Sequence, residues 1–138
     1  MSNQLYFILS YAALTILLAI IEKYRIKANW GEILNIKHSW SGAGAIAAFI
    51  LLLALFNQWN LYMICIGICC WGIRGIFYDP ALNLLRGEYI DYESDSTTSK
   101  TDKAEKKRKI SFWMQRLLYF LLAAAGYGLY YVAILIFK

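Results

Sequence analysis

Residues 71–87 read WGIRGIFYDPALNLLRG, and the rest of the chain can be understood outward from them. They close an apolar run, carry an arginine, an aspartate and an asparagine close together, and lead into the one long polar segment. Pro80 lacks the backbone N–H that a helix interior needs, and it biases Asp79 away from helical angles. We therefore expect the helix to end or kink there, with Asp79 capping a short helix that starts at Pro80.

The composition on both sides of this stretch is too apolar for a water-soluble domain. Of the 138 residues, 60% are hydrophobic, whereas soluble domains are about 45–50% apolar. The excess lies in blocks of about 20 residues, the length that crosses a bilayer as a helix. The first block has no basic segment before it and no small-residue cleavage site, so we expect it to be retained. The sequence predicts a single integral membrane domain over residues 1–138.

The predicted architecture is all-α, a four-helix transmembrane bundle. We expect spans at about residues 5–22, 39–56, 60–78 and 116–137, and a flexible loop at about 88–109, which is polar and charged. A short turn joins the second and third spans, which predicts an antiparallel hairpin. Small residues at 41–48 and 123–128 would let helix backbones approach closely in lipid, and we expect these two patches to pack against each other.

The basic residues indicate an orientation in the membrane. The first and third loops are rich in lysine and arginine, and the second loop has none. By the positive-inside rule, the first and third loops are cytoplasmic and both termini lie on the non-cytoplasmic side. The net charge is +5, and the basic block 106–109 is typical of contact with anionic headgroups. The partners predicted are therefore the lipid bilayer, its anionic headgroups and further copies of this chain, and not nucleic acid.

This orientation gathers polar residues from all four spans near the cytoplasmic face. We interpret the cluster as a satisfied network that sets the order of the helices, as an anion or headgroup site, or as a catalytic pocket. Arg74 either extends its guanidinium to the headgroups or forms an ion pair with Asp79 or Glu22. Arg116, at the start of the fourth span, is expected to extend outward in the same way. The members of the cluster are Glu22, His38, Arg74, Asp79, Asn83, Arg86, Gln115 and Arg116.

The catalytic candidates are His38 and Asp79, because His38 is the one group of the cluster that titrates near neutral pH. In the enzyme hypothesis His38 is the acid or base, arginines hold a phosphate, and Asp79 is one of the residues that orient the histidine. Candidate binding residues are Arg74, Tyr78, Asn83, Arg86 and Glu22.

The cysteines are predicted to serve in packing. Cys65, Cys69 and Cys70 fall in one apolar run, so their odd number forms no disulfide framework. No second pair of thiols or nearby histidines completes a zinc shell. We therefore expect neither a metal nor a cofactor.

One group of proteins shares part of this pattern. An aromatic-Asp pair at Tyr78-Asp79, a Leu-Asn at 82–83 and an Arg-Gly at 86–87 are followed by Tyr89, Ser99 and Asp102. The segment resembles small polytopic membrane proteins of Bacteroidetes and their phages. The position of His38 before the preceding span also fits this group. The resemblance covers about 65 residues of the chain. It implies a bacterial or phage inner-membrane setting and no particular chemistry.

The predicted function is that of a small, non-enzymatic inner-membrane protein that self-associates, with a holin-like role in phage- or prophage-linked lysis or membrane modification. The alternative is a membrane enzyme or binding protein that acts on a lipid headgroup through the His38, Arg74, Asp79 and Asn83 cluster. A transporter or channel is a third option, but no predicted span carries a charge near its middle to mark a path.

Overall fold

The computed structural model describes residues 3–27, 40–87, 89–90 and 111–136, and its regular structure is helical throughout. Helix α1 comprises Asn3–Lys27, α2 Trp40–Leu55, α3 Met63–Arg86 and α4 Phe112–Ile136. Helices α1, α3 and α4 are long and apolar enough to cross a membrane. The prediction of an all-helical fold is confirmed for the described residues, which form four helices, although the apolar part of α2, Gly42–Leu55, is shorter than a usual span.

The helix ends follow from local sequence. The Ser111 hydroxyl accepts a hydrogen bond from the Met114 amide at 3.3 Å and so caps the start of α4. Helix α3 ends at Gly87, whose φ of 77° lies in the left-handed region that favours glycine. Asn57 has a φ of 49° just after α2 and begins the short turn into α3.

We expected a helix end or a kink at Pro80, and the helix end is wrong, because α3 continues through this proline to Arg86. Asp79 accordingly lies inside the helix and does not cap a new one. The missing N–H of Pro80 leaves the Ile76 carbonyl without its usual helical donor. Membrane helices tolerate such a position when neighbouring groups satisfy the freed carbonyl. The packing of α3 on α1 and α4 thus outweighs the local preference of the Asp-Pro pair.

Helix α3 lies at the centre of the bundle and contacts all three other helices. Helices α1 and α4 pack along it, and α2 packs mainly on α1. Aromatic rings fill part of the space between α1 and α2, where Phe7 and Phe49 meet edge to face with ring centroids 5.5 Å apart. The buried core cluster consists of Phe7, Tyr11, Leu52, Met63, Ile66, Cys70 and Tyr130.

Helices α3 and α4 approach closely through glycine. A Cβ atom added at Gly72 would lie 2.6 Å from both the Ala123 nitrogen and the Tyr119 carbonyl oxygen. Gly126 makes the reciprocal approach to the backbone of α3 at Cys69. The expected packing of the 123–128 patch on α2 is therefore wrong, since α4 and α2 share no contact within the described residues. Its small residues pack on α3 instead, where the glycines of α3 provide the complementary groove.

The helix directions alternate along the chain. Arg25 near the end of α1 lies near Tyr78 of α3, and Phe7 near its start shares the core cluster with Met63 at the start of α3, so these two helices run parallel. Helix α2 returns along α1: Gly44 lies against Leu18, and Phe56 lies against Phe7 with ring centroids 5.7 Å apart. Helix α2 therefore connects opposite ends of the bundle despite its length. Helix α4 runs antiparallel to α3.

Candidate functional site

The charged side chains that the structure describes all lie at one end of the bundle, which we call the charged end. The ends of α1, α3 and α4 meet there, since Arg25 of α1 lies near Tyr78 of α3 and Arg116 of α4 contacts Asp79 of α3. Residues 3–21, 42–73 and 117–136 carry no charge. The charged end consists of Glu22, Lys23, Arg25, Arg74, Asp79, Arg86 and Arg116.

Glu22 and Arg25 form a buried ion pair on α1. The Arg25 Nε donates to Glu22 Oε2 at 2.7 Å, and its Nη2 donates to Oε1 of the same carboxylate. The side chains are only 8% and 10% exposed, and such bidentate pairs have favourable geometry. The pair turns toward α3, where Arg25 interacts with Tyr78. Glu22 is therefore held by its own helix.

Arg116 joins α4 to α3. Its Nη1 donates to the Gly75 carbonyl, and its Nη2 donates to Asp79 Oδ2 at 3.0 Å. The guanidinium carbon lies 4.3 Å from the centroid of the Phe112 ring. The arginine side chain is 11% exposed, whereas that of Asp79 is 54% exposed. Arg116 is thus turned into the bundle, contrary to the expectation that it extends outward to the headgroups.

Arg74 lies over aromatic rings of its own helix. Its guanidinium carbon is 4.7 Å from the centroid of the Tyr78 ring and 5.4 Å from that of Trp71. Such contacts stabilise a cation by about 0.5–2 kcal/mol, more where water is excluded. The ion pairs described for Glu22 and Asp79 are formed with Arg25 and Arg116.

Asn83 is placed to organise the end of α3. Its side chain is 6% exposed, and its Nδ2 donates to the Ile90 carbonyl at 3.1 Å. The Gly87 amide turns back to the carbonyls of Asn83 and Leu84. The Leu-Asn and Arg-Gly elements of the sequence motif therefore have a local structural reason, since they terminate the helix and fix the turn after it.

The structure brings together most of the predicted cluster but not all of it. Glu22 of α1 lies near Tyr78 of α3 through its partner Arg25, and Arg74 lies over the Tyr78 ring. Asp79 contacts Arg116 of α4 instead, and Arg86 follows farther along α3 at the surface. His38 lies outside the described residues, as do most of the 88–109 loop and residues 137–138, so its role as acid or base stays a prediction.

Two contacts of the charged end were not predicted from the sequence. The spacing of Glu22 and Arg25 by three residues on a helix is a signal that could have identified their pair. The contact of Arg116 with Asp79 joins residues 37 positions apart, and no local pattern announces it.

The interactions described at the charged end are mainly those of arginine side chains with carboxylates, a backbone carbonyl and aromatic rings. In the described part of the chain, no group of three or more His, Cys, Asp or Glu residues could hold a metal ion. Comparison with protein-family models, with curated proteins and with solved structures finds no match for this chain. The function is therefore inferred from its own residues. These residues form an ion pair on α1, cation–ring contacts on α3 and the tie of Arg116 from α4 to α3, and they leave other basic side chains at the surface.

Proposed function

We propose that this chain is a non-enzymatic, multi-pass protein of a bacterial inner membrane that acts by self-association. The observation that carries the proposal is the distribution of charge. Five basic and two acidic described side chains lie at one end of the bundle, and the remaining helix surface is apolar. Large apolar side chains point outward from α1, α2 and α4, as expected where lipid or another copy is the neighbour.

The proposed orientation places the charged end in the cytoplasm and both termini outside. It is supported by the basic residues of that end, because basic residues are retained on the cytoplasmic side. The finer proposal is a holin-like role in phage- or prophage-linked lysis. It is supported by the several apolar helices of the chain and by the resemblance to small polytopic membrane proteins of Bacteroidetes and their phages.

The contacts of the charged end favour a structural network over a catalytic pocket. Asp79 accepts from Arg116, and the Asn83 amide donates to Ile90, so both groups already serve the architecture. A catalytic base is expected to face a substrate and to be oriented by a further group. The network interpretation needs no such substrate.

The membrane placement is tested by extraction and labelling. The chain should remain in the membrane pellet after alkaline carbonate treatment. In a variant with Cys65, Cys69 and Cys70 replaced by alanine, a cysteine at Trp59 should react with an impermeant maleimide from outside. A cysteine at Tyr24 should react only after the cells are opened. Labelling of both positions from the same side would refute the arrangement.

The mode of action is tested by expression in bacteria. We expect the membrane potential to collapse above a threshold level of protein while the lipid composition, followed by mass spectrometry, stays unchanged. Cross-linking in the membrane should give oligomers at the same threshold. A lipid conversion that His38→Ala and Asp79→Ala abolish without unfolding the protein would support the enzyme alternative instead. Gly128→Ala is a suitable control, since nothing lies within 4 Å of that position.

A further inference from the structure

Lys23 and Arg86 differ from the other basic side chains of the charged end. Arg25 is bound to Glu22, Arg116 is bound to α3, and Arg74 lies over aromatic rings. Arg86 is exposed in the last turn of α3, and Lys23 is half-buried with its Nζ 5.9 Å from the centroid of the Tyr24 ring. Of the five cations whose side chains the structure describes, three have partners within the bundle and two lie at its surface.

Exposed aromatic side chains lie at the same end of the bundle as these two cations. Tyr24 is 61% exposed beside Lys23, and Tyr89 is 84% exposed just beyond Arg86. Trp113 is 62% exposed in the first turn of α4. Tyrosine and tryptophan in such positions favour the boundary between lipid chains and water. Aromatic and basic side chains thus lie at the surface of the charged end on or just beyond three helices, and we call Tyr24, Tyr89 and Trp113 the rim.

The opposite end has the aromatic side chains without the charge. Tyr6 and Trp59 are exposed there at 49% and 63%, and no charged residue is described near them. The two ends are therefore suited to different membrane surfaces. The charged end complements a layer of anionic headgroups, whereas the other end has no charge that would favour anionic headgroups.

We propose that Lys23 and Arg86, with the rim of Tyr24, Tyr89 and Trp113, bind the phosphate-bearing headgroups of anionic lipids. This proposal rests on the membrane placement proposed above and names the side chains that recognise the lipid. It changes the pairing expected from the sequence, because Arg86 acts with Lys23 of α1 and not with Arg74. Arg116 is used instead to tie α4 to α3, Arg25 is paired with Glu22, and Arg74 lies over aromatic rings of α3.

The test measures binding of phosphatidylglycerol to the full chain in neutral detergent, with phosphatidylcholine as the reference lipid. Each basic residue near an anionic surface strengthens binding about fivefold. Lys23→Gln/Arg86→Gln should therefore weaken phosphatidylglycerol binding on the order of tenfold or more and leave phosphatidylcholine binding unchanged. Lys23→Arg/Arg86→Lys, which keeps both charges, should bind as the parent does. Lys138→Gln, which removes a charge beyond the end of α4, should also bind as the parent does.

Three results would overturn the proposal. Unchanged phosphatidylglycerol binding in the double glutamine variant would assign the lipid to other basic residues. A loss in Lys138→Gln that is as large per charge removed as in the double glutamine variant would mean that only net charge matters. Displacement of the lipid by millimolar inorganic phosphate would identify a site for a free anion. Loss of the protein from the membrane pellet would instead refute the proposed function, so the two failures are distinguishable.

Discussion

Arg116 ties α4 to α3 through two different acceptors, the Gly75 carbonyl and the Asp79 carboxylate. An ion pair with a half-exposed carboxylate contributes less than about 1 kcal/mol. A hydrogen bond from a charged donor in a less exposed place contributes about 1.5–3 kcal/mol. The carbonyl contact should therefore be the larger of the two.

We expect Arg116→Leu to lower the free energy of unfolding by about 2–3 kcal/mol, because it removes both contacts. Asp79→Asn should lower it by less than about 1 kcal/mol, because it removes only the ionic part. Thermal unfolding in a mild detergent measures both. Equal losses in the two variants would show that the carboxylate, and not the carbonyl, is the main acceptor.

The buried pair of Glu22 and Arg25 supports a second prediction at this scale. Removing one partner leaves a charge buried without compensation, so Glu22→Leu and Arg25→Leu should each cost about 3–5 kcal/mol. The double variant should recover much of that loss, because two apolar side chains pack without desolvating an ion. The coupling is obtained from the four unfolding free energies. Additive losses would mean that the two side chains act independently.

At the scale of the elements, the closeness of α3 and α4 depends on Gly72. Any larger residue places its Cβ against backbone atoms of α4 that have no room to move aside. Gly72→Ala should therefore destabilise the protein by about 1–3 kcal/mol, the usual cost of overpacking. The matched control, Gly128→Ala, should stay within about 0.5 kcal/mol. A neutral Gly72→Ala variant would show that the two helices are farther apart than described.

A second prediction at this scale concerns Pro80 inside α3. Alanine at this position would restore an N–H that can donate to the Ile76 carbonyl, and a proline inside a helix costs about 3 kcal/mol in water. We expect Pro80→Ala to raise the unfolding temperature without changing the oligomeric state. A lower temperature would indicate that the local geometry imposed by the proline is needed for the contact of Arg116 with Gly75.

At the scale of the whole molecule, the proposed membrane placement leads to a prediction from the charge-free lengths of the long helices. Residues 117–136 of α4 cover about 30 Å and residues 3–21 of α1 about 28 Å, at 1.5 Å per residue. These lengths match the hydrocarbon core of a typical bilayer, about 30 Å thick.

We accordingly expect maximal thermal stability in liposomes of phosphatidylcholine with 18-carbon chains, and lower stability with 14- or 22-carbon chains. The cost of mismatch is a fraction of a kcal/mol per Å. A stability that does not vary across the series would argue that lipid chains do not surround these helices. Only the acyl-chain length varies, so the contacts with the headgroups stay the same across the series.

The helical class, the approximate positions of the helices and the clustering of charge could all be predicted from the sequence. Long apolar runs have one solution in a bilayer, in which each backbone group is satisfied within its own helix. The positions of lysine and arginine then indicate the ends of those helices. Each of these features depends on residues that are close together in the chain.

Only the tertiary structure decided which helices touch and which polar groups meet. The small residues of α4 would fit any groove of the right width, and the groove belongs to α3 because Gly72 lies opposite Ala123. Packing against two neighbours also carried α3 through Pro80, against its local preference. The partner of Arg116 was decided in the same way, because a contact between distant residues depends on how the helices are placed against each other.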